Sequence, residues 1–136
     1  MRRRVLLVED DHDYGQLLAR LLQARGHETR IALDALDGTL MAADFQPDLA
    51  IIDLGLPGMD GLELATWLSV HPRLKQTVFI AVTGNPTVTL ARPKRDAGFH
   101  AYLTKPIDID ALLELSEQIR VKLAQSAPPA TSATSH

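Results

Sequence analysis

The sequence predicts an α/β fold, a single doubly wound sheet of five mostly parallel strands. Three observations lead there. Short apolar runs alternate with amphipathic segments of helical period, the pattern of βαβ units. Several runs stop abruptly at polar residues, as buried strands do on reaching a surface. The length, 136 residues, suits one domain able to bury about two-thirds of its unfolded surface. Crossovers between parallel strands should be right-handed, with helices on both faces.

Taken in order, Val5-Leu6-Leu7-Val8 is a buried-strand run ending at Glu9-Asp10-Asp11. Tyr14, Leu17, Leu18, Leu21 and Leu22 recur at helical spacing, and Gly26 is placed to end that helix. Asp11 suits its N-cap, and His12 opens it facing solvent. Glu28 to Ala32 reads as a short outer strand, and Leu36, Thr39, Leu40 and Ala43 as a second helical face broken by Pro47. Leu49-Ala50-Ile51-Ile52 is the third strand and leads to Asp53. The turn-rich Gly55-Leu56-Pro57-Gly58-Met59-Asp60-Gly61 follows. Asp60 is a candidate N-cap for a helix carrying Leu62, Ala65 and Leu68, with Trp67 as a packing residue. Val78 to Val82 is the fourth strand, closed by Thr83-Gly84. The segment after it holds Pro86 and Pro93 and is poorly helical. Because proline is tolerated only in a first turn, a short helix should begin near Arg92. Ala101 to Leu103 is a fifth strand, and Asp108 caps a last helix bearing Ile109, Leu112, Leu113 and Ile119. Residues 1–124 form the domain. Residues 125–136, small, polar and Pro-containing, read as a disordered tail or linker remnant.

Composition narrows the function. The chain is 46% hydrophobic and 23% charged, with a formal net charge of −3. No basic balance points to nucleic acid. Arg2, Arg3 and Arg4 read as a solvated terminus. With no cysteine, disulfides, thiol catalysis and cysteine-ligated zinc are excluded. No apolar stretch approaches the ~18 residues of a membrane span, and acids interrupt the apolar start too early for a signal peptide. A cytoplasmic protein is expected.

The polar residues at the strand ends carry the functional signal. Glu9 and Asp10 close the first strand, Asp53 the third and Thr83 the fourth, and Lys105 follows the fifth. In an open α/β sheet the crevice outside the carboxyl ends is the usual ligand site. Each like-charged pair at ~4 Å costs about 4 kcal/mol at an effective dielectric of ~20. One lysine cannot neutralise three acids, so some acids are protonated or a cation sits among them. Oxygen-only ligands favour Mg²⁺.

Four segments, VLLVEDD, IIDLGLPGMDGLEL, VTG and AGFHAYLTKPID, together resemble the receiver domain of two-component response regulators. The likeness runs from Arg4 to about Leu123. It implies a flavodoxin-like (βα)5 fold with strand order 2-1-3-4-5, as in the chemotaxis receiver. It further implies that Asp53 is the phosphoacceptor. Asp10 would be a direct Mg²⁺ ligand, Glu9 a direct or water-mediated one, and Gly55 would contribute its backbone carbonyl. Thr83 would hydrogen-bond a phosphoryl oxygen and Lys105 would pair with another. Lys105-Pro106 resembles the family's cis peptide, and Tyr102 the aromatic that moves inward when Thr83 engages phosphate. Gly55 and Asn85 flank the family's water route. Gly55 offers no shield there, so dephosphorylation should not be unusually slow.

Read singly, Asp53 could cap a loop, Thr83 could be packing, and Lys105 could be a surface lysine; their joint spacing favours the functional reading. A Mg²⁺-dependent aspartyl-phosphate phosphohydrolase is the rival enzyme, but Gly55 stands where its second acid would be. A nucleotide-binding protein is disfavoured because neither GxxxxGK[ST] nor GxGxxG occurs. The expected partners are a sensor histidine kinase or phosphotransfer protein and a downstream protein, with no DNA or membrane bound by this chain alone. A stand-alone or amino-terminal receiver is expected over one excised from elsewhere in a longer regulator or hybrid kinase. It should be a monomer before phosphorylation. His100 and Ala101 replace the acids that precede the switch tyrosine in the dimerising subfamily, and Arg92, Lys94 and Arg95 add a basic cluster. Both departures favour a different protein over a second copy as the output partner.

Overall fold

The computed structural model describes residues 2–56, 61–84 and 98–126. Five parallel strands, β1 (Arg4–Val8), β2 (Glu28–Ala32), β3 (Leu49–Asp53), β4 (Val78–Thr83) and β5 (Ala101–Thr104), form one sheet in the order β2-β1-β3-β4-β5. Helices α1 (His12–Ala24), α2 (Ala35–Phe45), α3 (Gly61–Ser69) and α4 (Ile109–Ser126) alternate with them. Asp60, Asn85, Arg92, Pro93, Lys94, Arg95 and the expected helix between β4 and β5 lie outside the described residues, as do residues 127–136 of the expected tail.

The central strands carry continuous apolar runs because both faces are covered. Leu6, Val8, Ala50, Ile52, Phe79 and Ala81 join α2, α3 and Phe99 in one core. Val5, Leu7, Leu49, Ile51, Val78 and Ile80 join α1 and α4 in the other. Each fully buried aliphatic side chain contributes roughly 1.5–3 kcal/mol. The ends of α1 follow from its caps. Asp11 Oδ1 accepts from the Tyr14 amide at 3.1 Å, and Gly26 takes a φ of 87° just past the C-cap Arg25. Asp108 Oδ1 accepts from the amides of Asp110 and Ala111, opening α4. That helix is tied to the start of the first strand by Glu117, which accepts from Arg120 and from Arg3. Arg120 first, and Arg3 after it, hold the Glu117 carboxyl down to about 2.

Three helices place apolar side chains outward where the sequence suggested packing. In α2, Ala35, Gly38, Ala42 and Phe45 are buried, while Leu36 and Leu40 are 69% and 62% exposed. The reason is close approach: a Cβ on Gly38 would lie 3.1 Å from a Val8 methyl, so the helix presents its small residues to β1 and turns its leucines outward. Trp67 is 54% exposed and does not pack in the core. Leu64, Ala65 and Leu68 form the buried stripe of α3, and position 67 lies about 100° round the helix from its centre. Leu17 of α1 likewise faces outward, beside the buried Leu18 and Leu22.

The junction entering β5 is built from Gly98 and His100. Gly98 has φ 82°, and a Cβ there would lie 2.8 Å from Ser69 Oγ and 3.2 Å from the Ala65 carbonyl. Gly98→Ala should therefore destabilise by about 2–3 kcal/mol, combining left-handed strain with overlap against α3. Chemical denaturation measures this, and a loss below half a kcal/mol would contradict it. His100 stacks on Phe79 with rings 8° from parallel, and its Nδ1 accepts from the Phe79 amide at 3.0 Å. His27 Nδ1 accepts from the Arg3 amide in the same way, also at 3.0 Å.

Both acceptor nitrogens must be unprotonated. Burial is the main cause lowering both pKa values from the usual 6.5. Below 6.5 the unfolded chain then binds more protons than the folded one. This stability is present above that pH and is lost as pH falls through the lowered values. Thermal melts between pH 8 and pH 5 should show a steeper loss for wild type than for His27→Asn/His100→Asn, whose amide oxygens can still accept. Parallel curves would remove the two imidazoles as the cause.

Candidate functional site

The parallel register delivers the polar residues to one edge. Val8 lies opposite Ile52, Asp53 opposite Val82, and Thr83 opposite Thr104. Backbone bonds continue past the strand ends. The Glu9 amide donates to the Ala32 carbonyl at 2.9 Å, Leu54 to Val82 at 2.9 Å, and Lys105 to Thr83 at 2.8 Å. Each functional segment is thus fixed by a neighbouring strand before any side chain makes contact.

Asp53 is buried, 7% exposed, at the end of central strand β3. Its Oδ1 accepts from the Gly55 amide at 2.9 Å, and Lys105 Nζ lies 3.4 Å from Oδ2. A Cβ at Gly55 would stand 3.4 Å from Oδ1, so the glycine leaves that side of the carboxylate uncrowded. Glu9 is also buried. Its Oε1 lies 2.9 Å from Lys105 Nζ, and its Oε2 accepts from the Asp11 amide at 3.1 Å. Asp10 is exposed beside them. One carboxylate oxygen from each of Glu9, Asp10 and Asp53 lies within 4.8 Å of the others.

Burial raises the Glu9 pKa, and neighbouring Asp53 adds to the rise against the lowering pull of Lys105. Burial works to lower Lys105, yet the hydrogen bond to Glu9 and the charges of Asp53 and Glu9 leave it raised, so it remains an ammonium. The set is rich in negative charge and offers only oxygen. That fits a hard divalent cation, and the exposure of Asp10 suits one that retains part of its water shell.

Thr83 ends β4, buried at 7% exposure. Tyr102 lies in β5 opposite Ala81, half-buried, its ring edge-on to Phe99 with centroids 5.4 Å apart. The Lys105-Pro106 peptide is cis. The structure therefore brings Glu9, Asp10, Asp53, Gly55 and Lys105 together, puts Thr83 at the same edge, and sets Tyr102 further back along β5. His12 is exposed at the start of α1. Sequence reading missed Tyr14, which it assigned to the apolar face of α1. The Tyr14 hydroxyl accepts from the Ile107 amide at 3.0 Å, and Lys105 Nζ lies 4.8 Å from its ring centroid. No local signal could reveal contacts that span most of the chain. Among the described residues, no helix is long and apolar enough to cross a membrane.

The family model of the response regulator receiver domain matches residues 5–117. The polar-differentiation response regulator DivK of Brucella ovis is 35% identical over 117 residues, covering 84% of this chain and 93% of that protein. Among solved structures, a CheY-like receiver domain from Methylobacillus flagellatus superposes with a TM-score of 0.76 at 29% identity, covering 88% of this chain and 99% of that one. The chemotaxis response regulator CheY4 of Vibrio cholerae gives 0.77 at 24% identity over 88% and 99% of the two chains, a likeness of fold. With the sheet order, the acidic edge and this match over most of its length, the chain belongs to the response regulator receiver domains, the phosphorylation-based signalling modules of two-component systems.

Proposed function

We propose that this receiver is a switch in which Asp53 accepts a phosphoryl group, with Mg²⁺, from a histidine kinase or phosphotransfer protein. The observation that carries the reading is the setting of Asp53, a buried carboxylate at a central strand end. It is oriented by the Gly55 amide and held against Lys105 within reach of two further acids. In the reaction an Asp53 oxygen forms the new bond to phosphorus as the bond to the donor breaks. The Gly55 amide fixes the carboxylate for attack. Lys105 pairs with one phosphoryl oxygen and the Thr83 hydroxyl donates to another, so charge is met by preorganised donors.

Asp10 and Asp53 would be the direct side-chain ligands for Mg²⁺, with the Gly55 carbonyl completing the protein's share. Glu9, whose oxygens already accept from Lys105 and the Asp11 amide, suits a water-mediated role. When bound, the ion neutralises charge on the transferring oxygens. Phosphorylation then draws Thr83 inward, and Tyr102 follows to alter a protein-binding face. Gly55 supplies no acid–base group for turnover of external esters, which favours a switch over a hydrolase. The cytoplasm is the compartment this reading requires.

With Mg²⁺ and acetyl phosphate the protein should gain one acid-stable, base-labile phosphoryl group, and Asp53→Asn should gain none. Intact-mass spectrometry decides, and equal labelling of both proteins would remove Asp53 as the acceptor. Asp10→Ala should bind Mg²⁺ much more weakly and largely lose phosphorylation. Its stability should stay within about 1 kcal/mol of wild type or rise, because an exposed charge in a like-charged cluster contributes little to the fold. Melts and fluorescence with titrated Mg²⁺ read both effects, and an unaltered Mg²⁺ affinity would strike Asp10 from the ligands.

A further inference from the structure

Lys105 stands between two carboxylates, but those contacts do not by themselves aim it. A lysine ammonium is a point charge on a flexible four-carbon stem, with three donors and many rotamers. Its nearer partner is Glu9 Oε1 at 2.9 Å, against 3.4 Å for Asp53 Oδ2. Left to these attractions, the head could settle on Glu9 and away from Asp53. A third contact lies outside the acidic set. The Tyr14 ring, from the first turn of α1, has its centroid 4.8 Å from Nζ, inside the roughly 6 Å range of cation–π attraction. Its hydroxyl accepts from the backbone amide of Ile107, two residues beyond Lys105, at 3.0 Å. One side chain therefore holds the lysine head by its ring and the following backbone by its hydroxyl.

We propose that Tyr14 is a positioning residue for Lys105, keeping the ammonium directed at the Asp53 carboxylate where the phosphoryl group arrives. Tyr14 is half-buried against the α1–α4 side of the core, so the ring itself has little freedom. Its hydroxyl is taken up by the Ile107 amide and its ring faces Lys105, so its effect passes through Lys105 rather than through the metal ligands. The inference rests on the phosphoacceptor reading above and adds to it a residue that the strand-end motifs do not contain.

Two readouts test it. The first is the rate of phosphorylation by acetyl phosphate at saturating Mg²⁺, with Mg²⁺ affinity measured alongside. Tyr14→Leu should slow labelling about three- to tenfold and leave Mg²⁺ affinity within about twofold, since a single ring–cation contact is of that size. Tyr14→Phe keeps the ring and loses only the hydroxyl acceptor. It should fall between Leu and wild type, and it serves if the Leu variant does not fold. In a Lys105→Ala background neither change should slow labelling further. The second readout needs no phosphorylation. Trace acetic anhydride should acylate Lys105, relative to Lys75, several-fold faster in Tyr14→Leu than in wild type. Labelling at the wild-type rate, additive slowing in the Lys105→Ala background, or unchanged Lys105 acylation would each overturn the proposal. Failure of wild type to label at all would instead defeat the phosphoacceptor reading, and acylation alone would then decide whether Tyr14 holds Lys105.

Discussion

Parallel pairing imposes the constraint from which the site follows. When every strand runs the same way, every carboxyl end emerges on one edge, and the hydrogen-bond ladder sets how far each end projects. Here the ladder runs past the strands: Glu9 is bonded to Ala32, Leu54 to Val82 and Lys105 to Thr83 through the backbone. The charged residues therefore meet because main-chain bonds hold them together, even though their charges oppose it. A cluster held only by its own side chains would relax by moving the carboxylates into water.

The sheet can oppose that repulsion because its middle strands are sealed on both faces. Val8 closes β1 under the Gly38 turn of α2, and Ile52 and Val82 close β3 and β4 from opposite cores. The tight approach at Gly38 explains why α2 turns its larger leucines outward: bulk at the contact would lift the helix from the strand that carries Glu9. At the other end of the strands, His100, Phe79 and Gly98 fix where β5 begins, and hence where Lys105 leaves it.

The electrostatics follow from this fixed placement. Burial and Asp53 disfavour the charged form of Glu9, while the same neighbourhood keeps Lys105 an ammonium. Among the described residues the edge thus has one held cation and more acid than that cation can neutralise. Such a site takes up further positive charge readily. In the chemistry proposed for Asp53, the acyl phosphate formed carries more negative charge than the carboxylate it replaces, so a bound cation, Lys105 and Thr83 would all be needed to meet it.

The sequence by itself determined the class of fold and which polar residues stand at its strand ends. Buried strands need continuous apolar runs, and a polar residue that ends such a run marks the surface. Glu9, Asp10, Asp53, Thr83 and Lys105 could be read from that rule, and the caps Asp11 and Asp108 from the local need of a helix N-terminus for acceptors. The faces of α2 and α3 were decided only by the tertiary structure. Leu36 and Leu40 have the right period to be buried, but period alone does not say which side of a helix meets a strand, and the close contact of Gly38 with Val8 outweighed apolar bulk; Trp67 stands off the buried stripe of α3. The part of Tyr14 was likewise beyond the sequence. Its two contacts join the first turn of α1 to the loop after β5, residues that only the folded sheet brings together, and a ring over an ammonium leaves no mark in the spacing of either segment.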